Sequence, residues 1–374
     1  MKIIFGTIAL ILITILVSNI FKRHGVELPY VSNDSGDDLI NKADCESELN
    51  KTDWESEINK CSLLNGCEDN NKMRLYLGGS GDDMFSQKET AMEVIELSGK
   101  NAPNVLYIGT CTYDAPKPKH LQTNQFKKLG CNVRSLDITH NNPGVATMSN
   151  ELWNTDIIMI SGGNTLWGRD RWVKIGLDKL IKKAITEWGK VWAGGSAGMI
   201  LATDGGHSDS MDPSTYLNPP GPLISGFASK KQLDKSWAYI RAPGLGLLKM
   251  ISCPHYDKIE SNGALRATSF EKMMKMHCGE YALVIDNWTG IIINGKNYKL
   301  VKRKGKSGSV SPNGTYTDNP KIGKPGAWTI KIDSNSGKMI RNPVAETGAL
   351  GAISKPARFI VQSQMLAPAR KFNP

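Results

Sequence analysis

Gly194-Gly195-Ser196-Ala197-Gly198 has the G-x-S-x-G spacing that sets a serine on a sharp strand-to-helix turn. Apolar Val191-Trp192-Ala193 reads as a buried strand leading in, and Ala197 to Ala202 as a helix leading out. A serine so placed suits acyl transfer, in which its hydroxyl attacks a carbonyl carbon and nearby N–H groups hold the oxyanion. The first free amides of the new helix, beginning with Ala197, favour negative charge there. Ser161-Gly162-Gly163-Asn164 follows a second apolar strand, and its backbone amides are candidates for the other half of an oxyanion hole. A bare tight turn is the competing reading of Gly-Gly-Ser-Ala-Gly. Strand context on both sides and the upstream Gly-Gly-Asn argue against it.

A serine needs a base, and the base needs a group to orient it. His255 closes the apolar stretch Gly246 to Pro254 and so falls at the end of another strand, which makes it the favoured base among six histidines. His207, expected in a polar loop after the elbow helix, is the competitor. Asp209 and Asp212 in that loop, and Asp257 beyond His255, are candidate orienters; Glu280 is more distant in sequence. His120 and His277 fall in helical segments, His140 in a polar loop and His24 ahead of the domain. Arg169 and Arg171, just past the glycine loop, are either solvated or in reach of an acidic substrate group. Cys111 and Cys253 sit near strand ends without the strained turn that exposes a nucleophile.

Short, continuously apolar strands alternating with helices position these residues. Strands are predicted at 73–78, 104–110, 131–138, 155–161 and 191–193, with helices at 86–98 and 120–129. This pattern predicts an α/β domain whose mostly parallel sheet has helices on both faces and its site at the carboxyl ends of the strands. Gly78-Gly79-Ser80-Gly81 lacks the spacing and lysine of a phosphate loop and reads as a turn near the site. Tyr281 to Asp286 and Thr289 to Asn294 read as a hairpin turning at Asp286-Asn287-Trp288. Beyond Lys302, Gly-Lys, Pro-Gly and Ser-Gly clusters predict loops, with one added strand at Trp328 to Ile332.

Composition is that of an ordinary globular protein: 374 residues, 40% hydrophobic and 22% charged. The net charge of +10 includes a cluster at Lys299, Lys302, Arg303, Lys304 and Lys306, read as a solvated basic surface. No aromatic interleaving or zinc spacing marks a nucleic-acid partner, and neither a cofactor signature nor a metal motif is present. Residues 3–21 form an apolar run long enough to cross a bilayer or to serve as a signal peptide. Entry into the secretory pathway, membrane-anchored or secreted, is the resulting expectation. Cys45, Cys61 and Cys67 in a polar segment agree with an oxidising compartment, whereas Lys22-Arg23 mildly favours a cytosolic domain. Sequons occur at Asn33, Asn50, Asn287 and Asn313. The expected organisation is an anchor or signal at 1–22, a cysteine-containing segment at 23–72, a catalytic domain at 73–302 and a basic, loop-rich extension at 303–374.

Ser-Gly-Gly-Asn-Thr, Gly-Gly-Ser-Ala-Gly, Gly-His-Ser-Asp-Ser-Met and Gly-Leu-Gly-Leu followed by Cys-Pro-His-Tyr, in that order, resemble peptidase family S51. This is the family of dipeptidase E (aspartyl dipeptidase), and it includes cyanophycinase. The resemblance spans roughly residues 73–300. It implies a flavodoxin-like α/β domain related to class I glutamine amidotransferases, with a Ser-His-Asp/Glu triad and no metal. Carried over, Ser196 matches the nucleophile, His255 the base and Asp209 the acid, with Gly163 and the Ala197 amide at the oxyanion hole. The implied activity is a serine exopeptidase acting on short peptides with N-terminal aspartate. A Pro-rich loop from Tyr216 to Pro222 departs from the compact members and loosens that substrate inference. Cyanophycinase-like cleavage of β-aspartyl bonds, another acyl hydrolysis, and a catalytically silent membrane-tethered binding module are the alternatives. The sequence does not indicate an oligomeric state.

Overall fold

A computed structural model describes residues 72–216, 236–277, 279–333 and 336–356. Strand β1 (Arg74–Gly78) shows why the apolar runs become buried strands. Leu75 and Leu77 join one hydrophobic cluster and Tyr76 joins another, so successive side chains enter opposite faces of a sheet covered on both sides. The same division holds in β2 (Asn104–Ile108), β4 (Ile157–Ile160) and β5 (Val191–Gly195).

These strands and β3 (Asn132–Ser135) pair in parallel in the order β1-β5-β4-β2-β3. Read from the β3 edge, β3-β2-β4-β5 is the 2-1-3-4 order of a flavodoxin-like sheet, and β1 takes the fifth place. Helices α1 (Asp82–Phe85), α2 (Lys88–Ser98) and α3 (Pro116–Lys128) cover the Tyr76 face through Phe85, Val94 and Phe126. On the opposite face lie α4 (Val145–Trp153), α5 (Thr165–Ile175) and α6 (Leu177–Thr186), which contribute Met148, Trp172 and Ile181. The α/β class, the largely parallel sheet and the two helical layers are as the sequence predicts.

A second sheet was not foreseen. After the elbow helix α7 (Ala197–Ala202), the chain leaves the first sheet as β6 (Thr203–Ser208). It builds a six-stranded sheet with β7 (Ile240–Pro243), β8 (Leu248–Cys253) and β9 (Tyr281–Ile285). Strands β12 (Ala327–Ile332) and β13 (Met339–Pro343) complete it in the order β13-β12-β9-β8-β6-β7. One face packs through Leu248, Met250 and Leu283 on the α7 side of the first sheet, and the other packs on α8 (Arg266–Met276).

The hairpin reading of 281–294 is corrected accordingly. β9 pairs with β8 and β12, while β10 (Thr289–Asn294) pairs with β1 in the first sheet. The short link at 286–288 therefore crosses from one sheet to the other. A hairpin and a crossover of this length share the same turn residues, and only the partners offered by β1 and β8 distinguish them.

Lys302 does not mark a structural boundary either. Beyond β11 (Asn297–Lys302), β12 and β13 extend the second sheet, and β14 (Thr347–Ala349) closes the edge of the first. Arg303 is buried, paired with Glu93 and donating to Thr90 and the Tyr76 hydroxyl, so the expected solvated cluster loses one member. The apolar run 3–21 and Cys45, Cys61 and Cys67 lie outside the described residues. Among the described residues no helix is long and apolar enough to cross a membrane.

Phe270 on α8 is fully buried, with edge contacts to His207 and Tyr256. Its replacement by alanine is expected to cost about 3–5 kcal/mol. Urea unfolding checks this as a lower midpoint at unchanged m-value.

Candidate active site

Ser196 stands between β5 and α7 with φ 55° and ψ −115°, a backbone region that L-residues rarely occupy. Tight approach of neighbouring backbone enforces it. A Cβ on Gly195 would lie 2.0 Å from the Ser80 carbonyl oxygen, so no other residue type fits directly before the serine. The Ser196 amide donates to Gly78 O at 3.1 Å. The His255 amide donates to the next carbonyl, Gly79 O, at 3.0 Å. Ser196 and His255 are thus fastened to consecutive carbonyls where β1 ends. Their sequence separation says nothing of this; the Gly78-Gly79 turn, read as lying near the site, is what joins them.

The glycine loop after β4 meets the serine from the other side. Ser196 Cβ lies 3.4 Å from where a Cβ on Gly162 would sit. Gly163 has φ +104°, and a Cβ there would meet Cys111 O at 2.2 Å. Asn164 locks the loop: its amide donates to Cys111 O at 2.7 Å, and its side chain accepts from Trp167 N and donates to Ser210 O. Among the described residues the Gly163 amide has no acceptor. Ala197 opens α7, where an amide has no partner within the helix. Gly163 follows the glycine that lies across from Ser196 Cβ, and Ala197 directly follows Ser196 in the chain.

His255 also has positive φ, 52°, and its Nδ1 lies 2.6 Å from Asn287 Oδ1. This overturns Asp209 as the orienter. The chain after α7 enters the second sheet as β6, so Asp209 lies against α8 as the counter-ion of fully buried Arg266, at 3.1 Å. Asp212 caps the turn at Ser214 and accepts from Ser261 Oγ at 2.7 Å. Asp257 comes nearer, accepting the Asn287 backbone amide at 2.7 Å and lying close enough to His255 to interact with it electrostatically, without a hydrogen bond to its ring. Burial pushes its carboxyl above the ordinary range, and that amide bond partly opposes the rise.

In sequence Asn287 reads only as a sequon and as the centre of the expected hairpin turn. It is 2% exposed, so that acceptor reading fails. The signal that could have found it is its place at a strand end, since β9 stops two residues before it. Arg169 and Arg171 are both engaged within the chain. Arg171 donates to Ile138 O, Asn141 O and Asn142, and Arg169 donates to Gly244 O and pairs with Asp178.

His207 is excluded as the base. It lies on β6 rather than in a loop, 1% exposed, stacked on Tyr239 and bonded to Ser269 Oγ. Burial and the Arg266 charge hold its imidazole well below the ordinary range. Among the described residues no group of three or more His, Cys, Asp or Glu side chains is arranged to hold a metal.

The elbow, the glycine loop and the histidine meet at strand ends of an α/β chain. The model of peptidase family S51 matches residues 75–301, and the chain belongs to that family. An uncharacterized peptidase, YgaJ, of Bacillus subtilis is 25% identical over 187 residues, or 50% of this chain and 69% of that protein. A Trypanosoma brucei brucei protein named G2/mitotic-specific cyclin-1 is 23% identical over 298 residues, 71% of this chain and 86% of its own. A solved putative peptidase E protein from Listeria monocytogenes EGD-e superposes loosely, at TM-score 0.43 and 20% identity over 62% of this chain and 99% of that one. A peptidase from an acI-B1 Actinobacterium gives 0.47 and 16% over 75% and 98%.

Two outcomes follow from the geometry. Ser196→Gly relieves the positive φ and is expected to stabilise the fold by about 1–2 kcal/mol, read as a raised unfolding midpoint. His207 binds a proton more readily unfolded than folded, so the stability it supports is present above its unfolded pKa, about 6.5, and is lost as pH falls below it. The loss approaches about 1.4 kcal/mol per pH unit for one such group. Urea unfolding on both sides of that pKa checks the slope, which His207→Asn is expected to flatten.

Proposed function

We propose that this chain is a serine-type exopeptidase that hydrolyses short peptides through an acyl-enzyme. The observation that carries the reading is the anchoring of Ser196 and His255 to consecutive carbonyls at the end of β1, with Asn287 at the far nitrogen of the ring. His255 Nε2 takes the Ser196 proton as Oγ bonds to the scissile carbonyl carbon. The Gly163 and Ala197 amides hold the oxyanion. The proton then passes to the departing amine as the C–N bond breaks, and water releases the acyl group by the reverse sequence. A neutral amide at Nδ1 orients the ring but stabilises the imidazolium less than a carboxylate does.

N-terminal aspartate is the substrate preference that family membership suggests. With Arg169 and Arg171 engaged elsewhere, an acidic side chain would have to be read by other groups.

The test is incubation of the purified chain and its Ser196→Ala variant with Asp-Leu, its β-aspartyl isomer, Glu-Leu and Ala-Leu, followed by amino-acid quantification. Asp-Leu is expected to be cleaved, and the variant to lose at least about 10³-fold in rate. Cleavage of the β-linked isomer alone would make the chain a β-aspartyl peptidase. No release from any dipeptide by folded protein would overturn the proposal.

A further inference from the structure

Asn287 is held at all four of its polar groups. Its backbone amide donates to Asp257 Oδ1 at 2.7 Å, and its carbonyl accepts from Ser80 Oγ at 2.9 Å. Its side-chain Nδ2 donates to Asp83 Oδ2 at 2.8 Å, which leaves Oδ1 turned to His255 Nδ1 at 2.6 Å. Ser80 also accepts the Met84 amide at 3.1 Å, so the same hydroxyl sets α1, and with it Asp83, against the asparagine.

We propose that Asp83 sets the tautomer of His255 through Asn287. A side-chain amide has a donor end and an acceptor end, and either can face a neutral imidazole. A carboxylate accepts only, so Asp83 selects the donor end. The acceptor end then faces His255, and Nδ1 must carry the ring proton. Nε2 is left as a lone pair, the form able to take a proton from Ser196. In the opposite orientation Oδ1 would oppose the Asp83 oxygens, and an N–H would confront Nδ1 and drive the proton to Nε2. Asp82, next in the chain, does not substitute, because its carboxylate accepts from Gln122 Nε2 at 2.7 Å. Asp257 touches only the backbone of Asn287 and does not constrain the orientation of its side chain. Asp83 is thus a positioning residue: exposed on α1, outside every motif quoted above, and two hydrogen bonds from the ring.

The role in catalysis rests on the peptidase reading, but the tautomer does not, so the two can fail separately. The test uses the whole chain labelled with ¹⁵N-histidine, with the His255 ring assigned by comparison with His255→Gln. Long-range ¹H–¹⁵N spectra are recorded at a pH where the ring is neutral. The proton is expected on Nδ1 in the parent chain and to move largely to Nε2 in Asp83→Ala. The buried His207 ring, unchanged, reports that the variant is folded. In Asp83→Asn/Asn287→Asp the two groups exchange roles, the carboxylate facing His255 and the amide donating to it, and the Nδ1 proton is expected to return. Hydrolysis is expected to follow. Asp83→Ala lowers kcat about ten-fold at little-changed KM, well short of the roughly 10⁴-fold cost of a fully wrong tautomer, and the double variant restores it. A proton on Nε2 in the parent chain, or one that stays on Nδ1 in Asp83→Ala, would overturn the proposal. Movement of the proton as expected in a chain that cleaves no peptide would uphold it and sink the peptidase reading alone.

Discussion

Everything at the site depends on one constraint: the backbone at Ser196 must turn through positive φ with no room for a side chain on the residue before it. Gly195 passes against the Ser80 carbonyl with no room for a Cβ, and Gly162 lies across from the serine's own Cβ. Such a conformation costs of order 1–3 kcal/mol and survives only where the surroundings over-determine it. Here they are the strand β5 and the helix α7, each buried along its whole length, and β1, buried from Leu75 to Gly78. The rigid core holds the hydroxyl in place rather than any bond made by the hydroxyl itself. Among the described residues, Ser196 Oγ has no hydrogen-bond partner.

The two sheets divide the work. The parallel sheet supplies the serine and the glycine loop, as open α/β sheets do at the carboxyl ends of their strands. The second sheet delivers His255 from the end of β8 and Asn287 from beyond the end of β9. At the site they are joined by hydrogen bonds at Gly79 and Ser80, beside the apolar packing of Leu248, Met250 and Leu283 on the first sheet. Most of the binding partners around the site are backbone groups, which explains why so few of its positions look distinctive as side chains.

What was legible in sequence follows from this. Local signals were strong: strand β5, the elbow, helix α7, the glycine loop and the strand ending before His255 all announce themselves in short windows. Long-range pairing was not legible. Tyr281 to Asn294 has the pattern of a hairpin, and only the partners waiting in two sheets send its halves apart. Asp209 looked like an orienter because it follows the elbow helix in a loop with a histidine. A buried arginine from α8, distant in sequence, claims it instead. Asn287, neutral and set in a sequon, offered no chemical cue, since its role comes from neighbours contributed by α1, β1 and β8.

Asp286, beside Asn287, is fully buried and accepts from Ser309 N, Ser309 Oγ and Gly326 N, all at 2.8 Å or less. Both donor residues lie beyond residue 301, where the family match ends. On the ribosome the serine and the histidine emerge well before Gly326. The turn that carries Asn287 therefore gains its last supports only after the rest of the site has been synthesised. Construction of the turn is finished by a stretch of chain that lies outside the family match.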